Sequence, residues 1–312
     1  EAAVSSVAWG MQLPVQAQST IVVEPWETTA GVRELRDAAQ AADRAGADYV
    51  AVCDHLAIPA DKAEAMSTTW YHTVTTLGFL AGVTERVRLL SHVYIPVYRH
   101  PLEAAKAFLT LDALSGGRAV CGVGAGHVED EFATLGVGFE DRGPALEEAI
   151  SVIRAAFDDE FPEAAGPRWP LDGSVGLSPR AMQDRLPIWV GGSSPAAVRR
   201  AAQYGDGWLP QGTPLDEMEA TVARIARLRA EADRTGPFAI GGLAFGLYVG
   251  EPDWPLEPHN IVGSPDKLAH ILGRWIGAGV THLQVKFRSR SSAELTEQVE
   301  QFGAEVAPLL GQ

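Results

Sequence analysis

The sequence predicts an α/β fold, a (β/α)8 barrel occupying residues 1–312 as one domain, and three observations carry that prediction. Eight short apolar runs recur along the 312 residues. Several are near-continuous rather than alternating, the pattern of parallel strands buried on both faces. Between them lie segments whose apolar residues fall at three-to-four spacing, as amphipathic helices require. Eight β-then-α units favour a closed barrel over a doubly wound sheet, and a chain of this length suits one barrel.

The first strand is expected at 7–13, VAWGMQL. The helical run VRELRDAAQAADRAG follows and stops on Gly46, directly before the second strand, DYVAVC at 48–53. The third strand is VRLLSHVYI at 87–95. The run HPLEAAKAFLTLDALSGG then stops on glycine before the fourth strand, RAVCGVG at 118–124. The fifth, PIWVGG at 187–192, leads into SPAAVRRAAQYGDG, where Ser194 suits an N-cap and Pro195 the first helical position. DGWLP at 206–210, IGGLAFGLYVG at 240–250 and THLQVKF at 281–287 complete the eight. One irregular excursion, 158–185, breaks the rhythm with Pro, Gly and acidic residues. It is expected to form a lid, a binding excursion or a partly disordered stretch.

The formal net charge is −15, which excludes nucleic acid and anionic membrane surfaces as partners because a negative field repels phosphates. A site for an anionic ligand must then be built locally. Cys53 and Cys121 each sit in an apolar run, so both are expected as buried, reduced thiols in a cytoplasmic protein. No apolar run approaches ~20 residues, so no membrane span is expected. The first residues lack the charged and apolar regions of a leader. No metal site is predicted, and the expected partner is a small-molecule substrate.

In a barrel of this kind the chemistry sits at the C-terminal ends of the strands. Strand two ends on Asp54 and His55. Asp54 either caps a turn or sets a carboxylate beside an imidazole able to exchange a proton near neutral pH. Gly192, Ser193 and Ser194 precede a helix, and free N–H groups, hydroxyls and the helix dipole there make an anion site. Arg199 and Arg200 follow within that helix. The glycines of CGVGAGHVEDEF, at 122, 124 and 126, lack the spacing of a dinucleotide fingerprint. They read better as a strand end kept small for a flat ligand. Lys286, Arg288 and Arg290 either meet an anionic group or are solvated surface charge.

The blocks DH at 54–55, YRHPLEAAKAFLTLDALSGGRAVCGVGAG, EDEFATLGVGFEDRGPALEEA and LPIWVGGSSPAAVRRAAQYGDGW together resemble the luciferase-like monooxygenase superfamily. They are most similar to its coenzyme F420-dependent oxidoreductases. The resemblance runs roughly over residues 9–212 and implies a TIM barrel of the bacterial-luciferase type with a deazaflavin at its mouth. It implies that Asp54 contacts the ring, that His55 stands at the reacting face, and that Gly192, Ser193 and Ser194 hold the cofactor phosphate. It further implies a non-prolyl cis peptide at His92-Val93, a low wall at Gly124 and Gly126, and basic groups such as Arg199 along the acidic cofactor tail. A homodimer is common in the family. Relatives that oxidise sugar phosphates carry glutamate directly after the strand-four glycines. This chain has His127 there, so that activity is not transferred. The expectation is hydride transfer between F420 and a small organic substrate, with His55 and His127 as catalytic candidates and His92 as a third. The alternatives are an FMN-dependent monooxygenase on the same barrel and a non-catalytic flavin-binding protein.

Overall fold

All eight apolar runs form strands. In the computed structural model they are β1 (Ala8–Gln12), β2 (Tyr49–Val52), β3 (Arg88–Ser91), β4 (Ala119–Val123), β5 (Ile188–Gly191), β6 (Gly207–Leu209), β7 (Ala239–Val249) and β8 (His282–Phe287). The structure describes residues 7–20 and 22–311, and the reading of the first residues as lacking a leader falls largely outside them. Each strand pairs in parallel with its sequence neighbour, β8 pairs with both β1 and β7, and β6 pairs with β7 through Gly207 and Ala239. The barrel is closed.

A helix follows each strand: α1 (Val32–Arg44), α2 (Thr73–Ala81), α3 (Pro101–Ser115), α4 (Arg142–Asp158), α5 (Pro195–Tyr204), α6 (Leu215–Glu231), α7 (Pro265–Gly277) and α8 (Ser292–Gln301). Local signals set their limits. Gly46 beyond α1 has φ 78°, a left-handed conformation that glycine adopts without a Cβ clash. Ser194 caps α5, its Oγ accepting from Ala197 N at 3.2 Å. A short strand, Ile261–Gly263, pairs alongside β7.

The barrel interior is filled by alternating large and small residues, as a tapered core demands. Tyr49 and Trp189 meet edge to face, with ring centroids 5.8 Å apart. A Cβ at Gly10 would lie 2.6 Å from the Tyr49 ring, and one at Gly207 would lie 2.6 Å from the Trp189 ring. A second, larger apolar layer lies between strands and helices. Among the described residues no helix is long and apolar enough to cross a membrane.

The third strand is shorter than its apolar run. Pairing stops at Ser91, the His92-Val93 peptide is cis, and Tyr94 resumes a bridge to Val123. The excursion at 158–185 is ordered. It contains a small antiparallel hairpin, Glu163–Ala164 with Leu171–Asp172, and runs up the outer face of α4. There Arg168 bonds Glu148 and Asp141, and Glu148 accepts the amides of Arg168 and Trp169. A segment joining a helix to the next strand leaves and returns at the N-terminal face. This one climbs α4 until Arg168 reaches Asp141, just before α4, and Trp169 meets His100, just before α3.

Candidate active site

The C-terminal mouth holds a cavity of about 580 Å3. The ends of β2, β3, β4 and β5 assemble it, and every predicted site residue lines it except one. Asp54, His55, His92, Val93, Gly124, Gly126, His127, Gly192, Ser193 and Ser194 converge there; Arg199 does not. Arg199 is exposed on the outer side of α5, where its Nη2 lies 2.7 Å from Glu147 Oε1. One residue on, the helix turns Arg200 inward, 5 % exposed and lining the cavity, with its Nε lacking a partner. Arg142 joins it at the mouth. The basic groups of the site are therefore Arg142 and Arg200.

His55 has a partner that sequence reasoning missed. Its Nδ1 lies 2.8 Å from Oε2 of Glu131, whose side chain is fully buried. The other Glu131 oxygen accepts from Leu56 N at 2.6 Å and Ala57 N at 3.0 Å, and Tyr98 Oη donates to Oε2 at 3.0 Å. Burial alone would raise the Glu131 carboxyl. The His55 hydrogen bond and the two amides outweigh it and bring the value from 4.5 down to about 2. An ionised carboxylate only accepts, so His55 Nδ1 carries the hydrogen and Nε2 is the nitrogen left for a substrate. A signal for Glu131 was present. Val128 and Phe132 are apolar and four apart, so position 131 shares their inward face, whereas Glu129 and Asp130 face solvent.

The low Glu131 value is also a statement about stability. Its folded value lies below the unfolded one, so it stabilises the fold above about pH 4.5, and this contribution disappears as pH falls toward 2. The shift corresponds to on the order of 3 kcal/mol. Glu131→Gln is therefore expected to lose stability at neutral pH but to show a flatter acid dependence. Urea unfolding at neutral pH and at about pH 3 checks this; parallel curves for the two proteins would refute it.

Asp54 lines the cavity, but its carboxylate is engaged in the wall. Arg99 grips both oxygens, Nη1 to Oδ2 at 2.9 Å and Nη2 to Oδ1 at 3.1 Å. Thr73 Oγ1 donates to Oδ1 at 2.8 Å and Ile95 N to Oδ2 at 2.9 Å. With three N–H donors on a fully buried carboxylate and the Thr73 hydroxyl shared between it and the Cys53 carbonyl, little acceptor capacity remains for a ring. These bonds fasten the segment after β3 to the end of β2.

His92 Nδ1 donates to Gln284 Oε1 at 2.7 Å, and its buried Nε2 has no partner. Burial pushes His92 below the ordinary imidazole value, against the opposing Gln284 bond. Val93 explains the glycines. A Cβ on Gly124 would lie 2.5 Å from Val93 Cγ2, and one on Gly191 would lie 2.7 Å from Val93 Cγ1. The glycines stay small first to seat this valine, and the flat wall they leave follows from that. His127 is exposed at the rim, its ring centroid 5.6 Å from that of His55. Burial of part of the ring and the neighbouring His55 lower its value, so it is neutral at neutral pH.

The other end of the cavity is the start of α5. Ser193 Oγ accepts from Gln211 N at 2.8 Å and from Thr213 Oγ1 at 2.6 Å, which fixes the loop. Among the described residues the N–H groups of Ser193 and Ser194 have no acceptor within the chain. With the helix dipole and Arg200 alongside, they form an anion cradle. The strand-eight cations have another task. Lys286 pairs with Glu27, Arg288 with Glu24, and Arg290 with Asp253 and Glu294. Cys53 lines the cavity with its thiol pushed up to about 11 by burial, and Cys121 is buried within β4. Neither forms a disulfide.

Known proteins are similar to this chain in sequence and in fold. An F420-dependent glucose-6-phosphate dehydrogenase of Beutenbergia cavernae is 34% identical over 212 residues, covering 62% of this chain and 57% of that protein. An uncharacterized protein of Mycobacterium tuberculosis is 30% identical over 291 residues, covering 86% of this chain and 93% of its own. Among solved structures, an F420-dependent secondary alcohol dehydrogenase in complex with an F420-acetone adduct superposes with a TM-score of 0.78. It is 18% identical and covers 98% of this chain and 99% of its own. The family model described as luciferase-like monooxygenase matches residues 11–253, and with the closed barrel and its C-terminal cavity the chain belongs to that family.

Proposed function

We propose that this chain is an F420-dependent oxidoreductase that moves a hydride between the deazaflavin and a small organic substrate. The observation that carries the reading is the His55–Glu131 pair facing one end of a glycine-walled cavity, with an anion cradle at the other. Relatives that are F420-dependent dehydrogenases support it. The residues present fit a flat, phosphorylated cofactor. The unpartnered Nε2 of buried His92 and the flat Gly124–Gly126 wall suit the ring, and the Ser193 and Ser194 amides with Arg200 suit a phosphate.

When bound, the deazaflavin supplies the carbon that accepts or gives the hydride. The chain supplies the proton chemistry. His55, held by ionised Glu131 with its Nε2 free, takes a hydroxyl proton as the hydride leaves, or returns it in the reverse direction. Glu131 stabilises the imidazolium that forms without itself being protonated. His127, neutral at the rim, is a second imidazole within reach of the substrate. A homodimer in a reducing cytoplasm belongs to the same reading.

The experiment is a pair of titrations of the apo-protein followed by fluorescence. F420 is expected to bind, and to bind more weakly to Arg200→Gln by about tenfold. Tight FMN binding without F420 binding would replace this reading with the FMN-dependent one.

A further inference from the structure

The opposite face of the barrel holds a second cavity, of about 940 Å3, bordered by the N-terminal ends of β3, β5, β6, β7 and β8. This face of a barrel ordinarily serves stability. A chain of net charge −15 has no general reason to gather cations there. Four arginines nevertheless line it, Arg88, Arg185, Arg229 and Arg234, against two carboxylates, Asp206 and Asp233.

Asp206 is heavily shared. Arg185 donates to its Oδ1 from Nε at 3.0 Å and Nη2 at 2.9 Å, Arg154 donates to its Oδ2, and Arg234 Nη2 stands 3.6 Å from Oδ1. Arg154 also meets Asp158 at 3.5 Å, which leaves Asp206 shared chiefly between Arg185 and Arg234. Arg88 pairs with Asp48, outside the cavity lining. Asp233 is exposed and forms no ion pair among the described residues. Arg229 meets no carboxylate among the described residues. Its Nη2 donates to the Gly236 carbonyl at 3.2 Å, while its Nη1 is buried without a partner in a residue 8 % exposed. Burial, and after it the adjacent Arg234, hold this guanidinium below its ordinary value, with Asp206 opposing them. Nη1 of Arg88 and Nη1 of Arg185 donate to nothing in the described chain.

We propose that this bowl is a second ligand site, separate from the mouth, that takes a phosphate-type oxyanion carried on a small organic group. Guanidinium forks match the oxygens of a phosphate and hold their charge at any working pH. The volume far exceeds a bare phosphate and falls within the range of small-molecule sites. Trp189 and Phe238 supply apolar wall for the organic part, the latter with Arg229 4.3 Å from its ring centroid. Surrounding negative charge makes the cluster the exception on the surface, which concentrates the anion's choice there. The assignment is independent of the flavin reading of the mouth.

Isothermal titration of the full chain with inorganic phosphate, AMP and adenosine at low ionic strength tests it. Phosphate and AMP are expected to bind, AMP more tightly, and adenosine to give no binding. Arg229→Met and Arg185→Gln should each weaken AMP by about tenfold or more, while Arg200→Gln at the mouth leaves it unchanged. Arg185 is half-exposed, so its replacement keeps the test alive should Arg229→Met fail to fold. Binding that survives Arg185→Gln, or that Arg200→Gln removes instead, overturns the proposal, as does absence of binding to the wild type. AMP no tighter than phosphate overturns the organic half of it.

Discussion

Replacing His55 with Ala lowers kcat by about 10²–10⁴-fold, the range that a positioned general acid–base contributes, while F420 affinity changes little. The chain of reasons begins at the end of β2, where His55 is set against the fully buried Glu131 at 2.8 Å. Because the carboxylate is ionised and satisfied by two amides and Tyr98, it holds the imidazole in one tautomer. Glu131→Gln keeps the shape but offers an amide in place of a charge, so kcat falls while KM for substrate stays close to wild type. The measurement is single-turnover change in deazaflavin absorbance, with cofactor affinity measured separately. If His55→Ala turned over at wild-type rate and His127→Ala did not, the proton would belong to His127, and the assignment to His55 would be wrong.

Asp54→Ala costs about 3–5 kcal/mol of folding stability, because it strands the Arg99 guanidinium, 13 % exposed, without its partner. The Ile95 amide loses its acceptor at the same time. Asp54→Asn retains some of these bonds and loses less. Equilibrium urea unfolding gives the stability, and F420 titration of the folded Asn variant separates the two roles. A stable Asn variant that no longer binds F420 would restore the direct ring contact. Loss of stability with affinity intact supports the anchor.

How far the site could be read in advance follows from how local each feature is. His55, His127 and the Gly192–Ser194 loop were legible because a strand end is marked by its neighbours, and a barrel places chemistry at those ends. Ser194 and Pro195 announced the helix start for the same reason. Arg199 was misread because the two adjacent arginines are equivalent in sequence, and about 100° of helical rotation separates them in space. Composition marked the excursion at 158–185 as irregular, while its hairpin and its contacts along α4 depend on segments brought together by the fold.

The strand–helix rhythm, the parallel barrel and the location of the mouth were all written in the one-dimensional pattern, since periodicity, caps and stop signals act over a few residues. Pairings across the fold were not. Glu131 lies 76 residues from His55, Arg99 lies 45 from Asp54, and the lower bowl draws together arginines from the start of β3, the segment before β5 and the C-terminal end of α6. Each pairing depends on which way a side chain points once closure brings distant segments to one end of the barrel. That closure set Arg99 on the Asp54 carboxylate and made an unremarked glutamate the partner of the histidine.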